Sequence, residues 1–108
     1  MMAAEAGKAM SCEAWYEQSG VRHPMEIAGF LLCDDGSFSA RGQDTVGPFT
    51  IKGVMMQTPV SDLHMLKQYT GQHSVCYSAR KQGDAFIGAW NLYGSTGGFG
   101  MKLVALST

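Results

Sequence analysis

The sequence predicts an all-β protein that forms a single small antiparallel up-and-down β-barrel of about eight strands. Short runs of alternating apolar and polar residues are typical of strands with one buried face. Glycines separate these runs from about Gly29 to Gly100, and Asp34, Asp35 and Gly36 form a strong hairpin signal, because Asp-Gly tolerates positive φ angles. Closure into a barrel removes the two edges that an open sheet would expose.

The alternating runs define eight strands in chain order. Their predicted bounds are 13–17, 23–33, 37–43, 48–56, 62–69, 73–80, 85–92 and 99–106. Pro24 and Pro48 mark the entries to the second and fourth strands, because proline has no amide hydrogen to donate to a ladder. The longer connections are predicted to be turns, at residues 34–36, 44–47, 57–61, 70–72, 81–84 and 94–98.

The fifth run has two interpretations. A helix would place Leu63, Leu66 and Tyr69 on one face, whereas a strand would place Leu63, Met65, Lys67 and Tyr69 together. We favour the strand because the runs on both sides belong to a meander. Four glycines fall inside predicted strands, where they are expected to mark the corners of a small, strongly curved barrel: Gly29, Gly42, Gly53 and Gly88.

Composition limits the class of protein. We expect residues 1–11 to form a flexible or short helical tail and residues 12–108 to form the barrel domain. The net charge is −1 and the eight basic residues are scattered, so we expect no nucleic-acid partner. No apolar run approaches the ~20 residues of a membrane helix, and we expect no membrane partner.

The three cysteines suggest where the protein works. Cys12, Cys33 and Cys76 are odd in number and include no Cys-x-x-Cys pair. Reduced thiols in a cytoplasmic protein fit this best, and the alternative is one disulfide with a leftover thiol. The N-terminal residues carry Glu5 and Lys8 and do not match a secretory signal.

The closing segment carries a resemblance to a known class. Residues 87–90 (Ile-Gly-Ala-Trp) are followed by residues 94–99 (Gly-Ser-Thr-Gly-Gly-Phe), and avidin-type proteins have similar Gly-x-Trp strands and glycine-rich hairpins. With the eight-strand meander, the chain therefore resembles small calycin-type barrels of the streptavidin-like or lipocalin-like kind over residues 13–106. Trp15 lacks the glycine two residues before it that the lipocalin motif has, and biotin binding is not implied.

The candidate ligand-binding residues are aromatic and polar side chains on predicted strands. Lys67, Tyr69 or His73 would orient a ligand, because a cation and an imidazole next to aromatic rings can form a polar floor in an apolar cavity. The lining residues would be Phe38, Phe49, Tyr77, Phe86, Trp90 and Met101. The alternative is that these aromatic residues only stabilise the sheet as cross-strand pairs.

Catalysis and metal binding are not favoured. His23, His64 and His73 have no metal-ligand spacing, and we expect no metal and no cofactor. Cys76 with His73 or His64 would be a formal nucleophile arrangement, but a mid-strand thiol usually packs as a small apolar group. The carboxylates Asp44 and Asp84 are predicted to lie in turns. We expect no catalytic residues, and an enzyme is the least favoured class.

The leading hypothesis is a non-enzymatic binding protein that holds a small apolar or aromatic ligand inside the barrel. The alternative is a protein-interaction or self-assembling module with a filled core, such as a homo-oligomer. Alternation places Phe30 and Leu32 opposite the Met25 face of the second strand, and Val54 and Met56 outward on the fourth. Apolar residues on both faces of a strand imply that both faces are covered.

Overall fold

The protein forms a closed antiparallel barrel in a computed structural model that describes residues 7–56 and 61–106. Each strand pairs with its sequence neighbours, and the last strand pairs with the first. The strands are β1 (Lys8–Gln18), β2 (Val21–Leu32), β3 (Ser37–Gln43), β4 (Pro48–Met56), β5 (Asp62–Tyr69), β6 (Ser74–Gln82), β7 (Ala85–Leu92) and β8 (Ser95–Ala105). This architecture confirms the predicted fold class. Within the described residues, no helix is long and apolar enough to cross a membrane.

Strands β3, β4, β5 and β7 have the predicted bounds, and the fifth run is a strand. The first strand begins at Lys8, well before the predicted start at residue 13. Residues 8–11 were expected to belong to a tail or short helix, but Lys8 pairs with Leu32 of β2 and Met10 pairs with Ala105 of β8. Residues 1–6 of the predicted tail and residues 57–60 of the predicted turn at 57–61 lie outside the described residues.

The glycine-rich segment 94–98, predicted as a flexible turn, is mostly strand. The turn consists of Tyr93 and Gly94, both at positive φ, and β8 starts at Ser95. Gly97 pairs with Trp90, whose indole lies where a side chain at position 97 would be. Gly97 is therefore needed because a large ring covers the strand at this point, whereas Gly94 alone of this segment belongs to the turn.

Strand β2 contains a β-bulge at Gly29, which changes the predicted faces of this strand. Two residues, Gly29 and Phe30, oppose the single residue Ala40 of β3, and Gly29 has a φ of 62°. Because the bulge inserts one extra residue, the alternation shifts after it. Phe30 is buried and Leu31 is exposed, so the prediction that Phe30 and Leu32 face outward is wrong.

One half of the barrel interior is filled by apolar side chains. The rings of Phe30 and Phe38 stack with centroids 5.0 Å apart, and Phe38 also lies over the backbone of Gly53, where no Cβ would fit. Leu63 and Met101 are fully buried in the same half. The opposite end carries the turns at residues 19–20, 44–47, 70–73 and 93–94, and we call it the Asp44 end.

The bulge gives a first prediction. Gly29→Ala should lower the free energy of unfolding by about 1–2 kcal/mol, because an L-residue is strained at positive φ. The nearest atoms to an added Cβ belong to the guanidinium of Arg41, the mobile end of an exposed side chain, which can move away at little cost. Gly71→Ala is the matched comparison, since Gly71 has a φ of 69° with no neighbouring atom within 4 Å, and it should cost about the same. Urea denaturation measures both, and an unchanged stability of Gly29→Ala would contradict the bulge conformation.

Candidate functional site

Lys67 is a charged residue in the barrel interior. It lies on β5 between Met65 and Tyr69, and strict alternation turns all three side chains inward. Only 1% of Lys67 is exposed, so its ammonium has lost almost all of its contact with bulk water. A buried charge of this kind requires a partner of opposite charge.

Asp44 supplies that partner from the turn between β3 and β4. Its Oδ2 accepts hydrogen bonds from Lys67 Nζ at 2.8 Å and from the Tyr69 hydroxyl at 2.6 Å. Its Oδ1 accepts from the Val46 amide at 2.9 Å, which holds the turn in shape. The Asp44 side chain is fully buried. The carboxylate thus joins the turn to the barrel interior with three hydrogen bonds.

Four aromatic rings surround the Lys67 ammonium. The distances from Nζ to the ring centroids are 4.9 Å for Tyr16, 4.9 Å for Phe49, 4.6 Å for Tyr69 and 5.3 Å for Tyr77. We call these four residues the aromatic cage. A cation within about 6 Å of a ring face is attracted to it, most strongly where water is excluded. The cage therefore replaces part of the hydration that Lys67 loses.

Burial and charge shift the proton equilibria at this site. Burial lowers the pKa of Lys67, and the bond to Asp44 only partly restores it. Burial alone would raise the pKa of Asp44, but the hydrogen bonds from Lys67 and Tyr69 and the lysine charge hold it below its ordinary value. Burial and the nearby carboxylate raise the pKa values of Tyr69 and Tyr77. Both phenols are therefore neutral hydrogen-bond donors at physiological pH.

A cavity of about 100 Å³ adjoins the ion pair and opens toward the Asp44 end. Its walls combine aromatic, aliphatic and a few polar side chains. They are Tyr16, Gln18, Val46, Lys67, Tyr69, His73, Val75, Tyr77, Trp90 and Leu92. This mixture of apolar walls with a few convergent polar groups is typical of small-molecule sites.

The polar groups in the cavity walls differ in their hydrogen bonding. Among the described residues, every fully buried side-chain nitrogen or oxygen has a hydrogen-bond partner. The Trp90 indole donates to the carbonyl of Glu17 at 2.8 Å, which fixes this wall. The Tyr77 hydroxyl has no side-chain or backbone partner among the described residues, so it must reach the open space of the cavity.

Five of the nine predicted ligand-binding residues line this cavity: Lys67, Tyr69, His73, Tyr77 and Trp90. Phe49 belongs to the aromatic cage and packs edge-on against Tyr69 at 5.8 Å, but it does not line the cavity. Phe38, Phe86 and Met101 are buried in the filled half of the barrel, away from the cavity. The predicted pocket is therefore smaller than expected and lies at one end.

Asp44 was missed because it was assigned to a turn. It does lie in the turn, but its side chain points inward. The signal that could have found it is the inward position of Lys67, which requires a carboxylate at the same end of the barrel. Tyr16 was missed as well, because the predicted first strand has an aromatic residue on each face, Trp15 on one and Tyr16 on the other, and alternation does not tell which face turns inward.

Two residues that were considered for nucleophilic chemistry lie on the outer surface of the barrel. Cys76 is exposed on the outer face of β6, and the ring of His64 contacts Ser78 Oγ at 3.1 Å. All three cysteines are free thiols. In the described part of the chain, no group of three His, Cys, Asp or Glu side chains is arranged to hold a metal ion.

In comparisons by sequence and by structure, no family model, curated protein or solved structure matches the chain significantly. The resemblance to calycin-type barrels stays a prediction.

The ion pair gives a prediction about acid stability. Asp44→Asn should cost about 3–5 kcal/mol at neutral pH, because it leaves the Lys67 charge unpaired. The folded pKa of Asp44 lies below its ordinary 3.8, so its stabilising effect is present above about pH 4 and is lost as the pH falls through the folded value. The difference in unfolding free energy between the wild type and Asp44→Asn should therefore shrink below pH 4.

Urea denaturation between pH 7 and pH 2.5 measures this difference. Asp34→Asn is the control, since Asp34 is exposed at the opposite end. A constant difference between wild type and Asp44→Asn across this range would contradict the ionised pair.

Proposed function

We propose that the protein is a non-enzymatic binding protein that holds a small, mostly apolar or aromatic ligand in the cavity at the Asp44 end. The observation that carries the proposal is the cavity itself, with Lys67 and the Tyr77 hydroxyl at its walls. A barrel of eight strands encloses enough space for one small ligand. The cytoplasmic location expected from the free cysteines belongs to the same proposal.

The size of the cavity limits the ligand. An apolar cavity of about 150 Å³ takes up benzene, whereas sites for drug-sized molecules are ~300–1,000 Å³. At about 100 Å³ with an open mouth, this cavity suits a single ring or a short chain that enters partway. The ligand would use a hydrogen-bond acceptor, because the Tyr77 phenol can donate to it, whereas the buried carboxylate of Asp44 already accepts three hydrogen bonds from the protein.

Fluorescence titration with phenol and benzyl alcohol tests the proposal. Trp15→Phe leaves Trp90 in the cavity wall as the one tryptophan, since the chain has two. Its emission should change on addition of either probe, with a Kd on the order of 0.1–1 mM for so few atoms. The proposal would be contradicted if the emission showed no saturable change. It would also be contradicted if the emission changed only in a variant that keeps Trp15 and lacks Trp90.

Two leucines provide matched variants in the Trp15→Phe background. Leu92→Phe adds volume at the cavity and should weaken binding about tenfold, which corresponds to about 1.4 kcal/mol. Leu103→Phe makes the same change at a partly buried position of the other half of the barrel, and it should leave the Kd unchanged. Thermal unfolding confirms that each variant is folded before titration.

A second candidate function is self-assembly, favoured by the outer face of β4 and β5. Val54, Met56 and Leu66 are exposed there by 36%, 46% and 42%, whereas Phe30, which first suggested a second apolar face, is buried. Light scattering and native mass spectrometry should show dimers or larger species, and Leu66→Glu should dissociate them. A monomer at micromolar concentration would rule this candidate out, and an extra bound mass would favour the ligand.

A further inference from the structure

Lys67 borders the cavity with a primary amine, the one functional group of the site that can form a covalent bond with a carbonyl ligand. We infer that Lys67 is an attachment site for a small aldehyde, which it holds as a protonated imine paired with Asp44. The inference rests on the proposed function, because the aldehyde must first enter the cavity.

The reaction balances without any co-reactant. The amine gives its ammonium proton to the Asp44 carboxylate and adds to the carbonyl carbon of the aldehyde. A proton then moves from the nitrogen of the adduct to its oxygen, which gives the neutral carbinolamine. The carbinolamine hydroxyl takes up the proton held by Asp44 and leaves as water, while the nitrogen lone pair forms the C=N bond. The nitrogen keeps its one remaining hydrogen, so the product is the iminium and Asp44 is a carboxylate again. Overall, an ammonium and an aldehyde give an iminium and one water, and the net charge of the site does not change.

The surroundings of Lys67 fit both the reactant and the product. The positive iminium would take the place of the ammonium, so Asp44 Oδ2, now 2.8 Å from Nζ, remains its counter-ion. The aromatic cage, with centroids 4.6–5.3 Å from Nζ, attracts either cation. The Tyr69 hydroxyl, 2.6 Å from the carboxylate, keeps Asp44 in position as protons move. Burial lowers the pKa of Lys67 and so increases its neutral, nucleophilic fraction.

The other lysines are placed differently. Lys8, Lys52 and Lys81 are exposed and Lys102 is half-buried on the outer surface, where water hydrolyses imines freely. Only Lys67 combines an amine with a sheltered apolar cavity of a size suited to one ring. A label that forms on Lys67 and not on the other lysines would therefore indicate a specific site and not the general reactivity of amines.

The experiment traps the imine in the full chain. The protein is incubated with a small excess of benzaldehyde and sodium cyanoborohydride, which reduces an imine to a stable N-benzyl amine, and peptide mass spectrometry locates the label. We expect one label per chain, with Lys67 modified at least tenfold faster than any surface lysine. Labels spread over the exposed lysines with Lys67 unmodified would overturn the inference, and this outcome requires no variant.

Variants and a second ligand complete the test. Lys52→Met, which removes an exposed lysine of β4, should retain the label, and Lys67→Met should lose it while near-ultraviolet circular dichroism shows a folded barrel. Benzyl alcohol has the same ring but no carbonyl. If it changes Trp90 fluorescence while Lys67 stays unlabelled, the imine is refuted and the proposed binding function stands. If benzyl alcohol does not bind and Lys67 stays unlabelled, both fail.

Discussion

The buried ion pair between Lys67 and Asp44 is the interaction on which the Asp44 end of the barrel depends. Transfer of two charges into a protein interior costs several kcal/mol per ion, and the attraction between them offsets this only with good geometry and further hydrogen bonds. Here the carboxylate accepts three hydrogen bonds and the ammonium lies among four rings. The turn at residues 44–47, the wall that contains Tyr69 and the floor of the cavity are positioned by the same pair.

The pair also explains why the interior has two different halves. An apolar cluster around Phe30 and Phe38 fills one half, where glycines such as Gly53 let rings lie directly on the backbone. The other half holds a charged amine among aromatic rings and a carboxylate. The cavity of about 100 Å³ adjoins this amine. The residues that stabilise this end of the barrel are therefore the ones that the proposed ligand would contact.

The sequence predicts most of the strands because alternation is a local signal, and four strands have the expected bounds. The prediction from sequence fails where the conformation of a segment depends on contacts that the local pattern does not show. The sequence around Gly29 does not show that β2 contains an extra residue at this point. The glycines of β8 are typical of a turn, and only the structure shows that the Trp90 ring covers Gly97. Lys67 is identifiable as an inward lysine, but its partner lies 23 residues away in a turn, where carboxylates are usually solvated.

Closure of the barrel by β1 and β8 links the folding of the chain to the hydration of Lys67. These two strands are farthest apart in the sequence, so their pairing carries the largest loop-closure entropy of the meander. Until they pair, the sheet is open along one side and water reaches the interior, where an ammonium is stable without help. The ion pair therefore offsets a desolvation cost that arises only in the closed barrel, where the paired strands exclude that water.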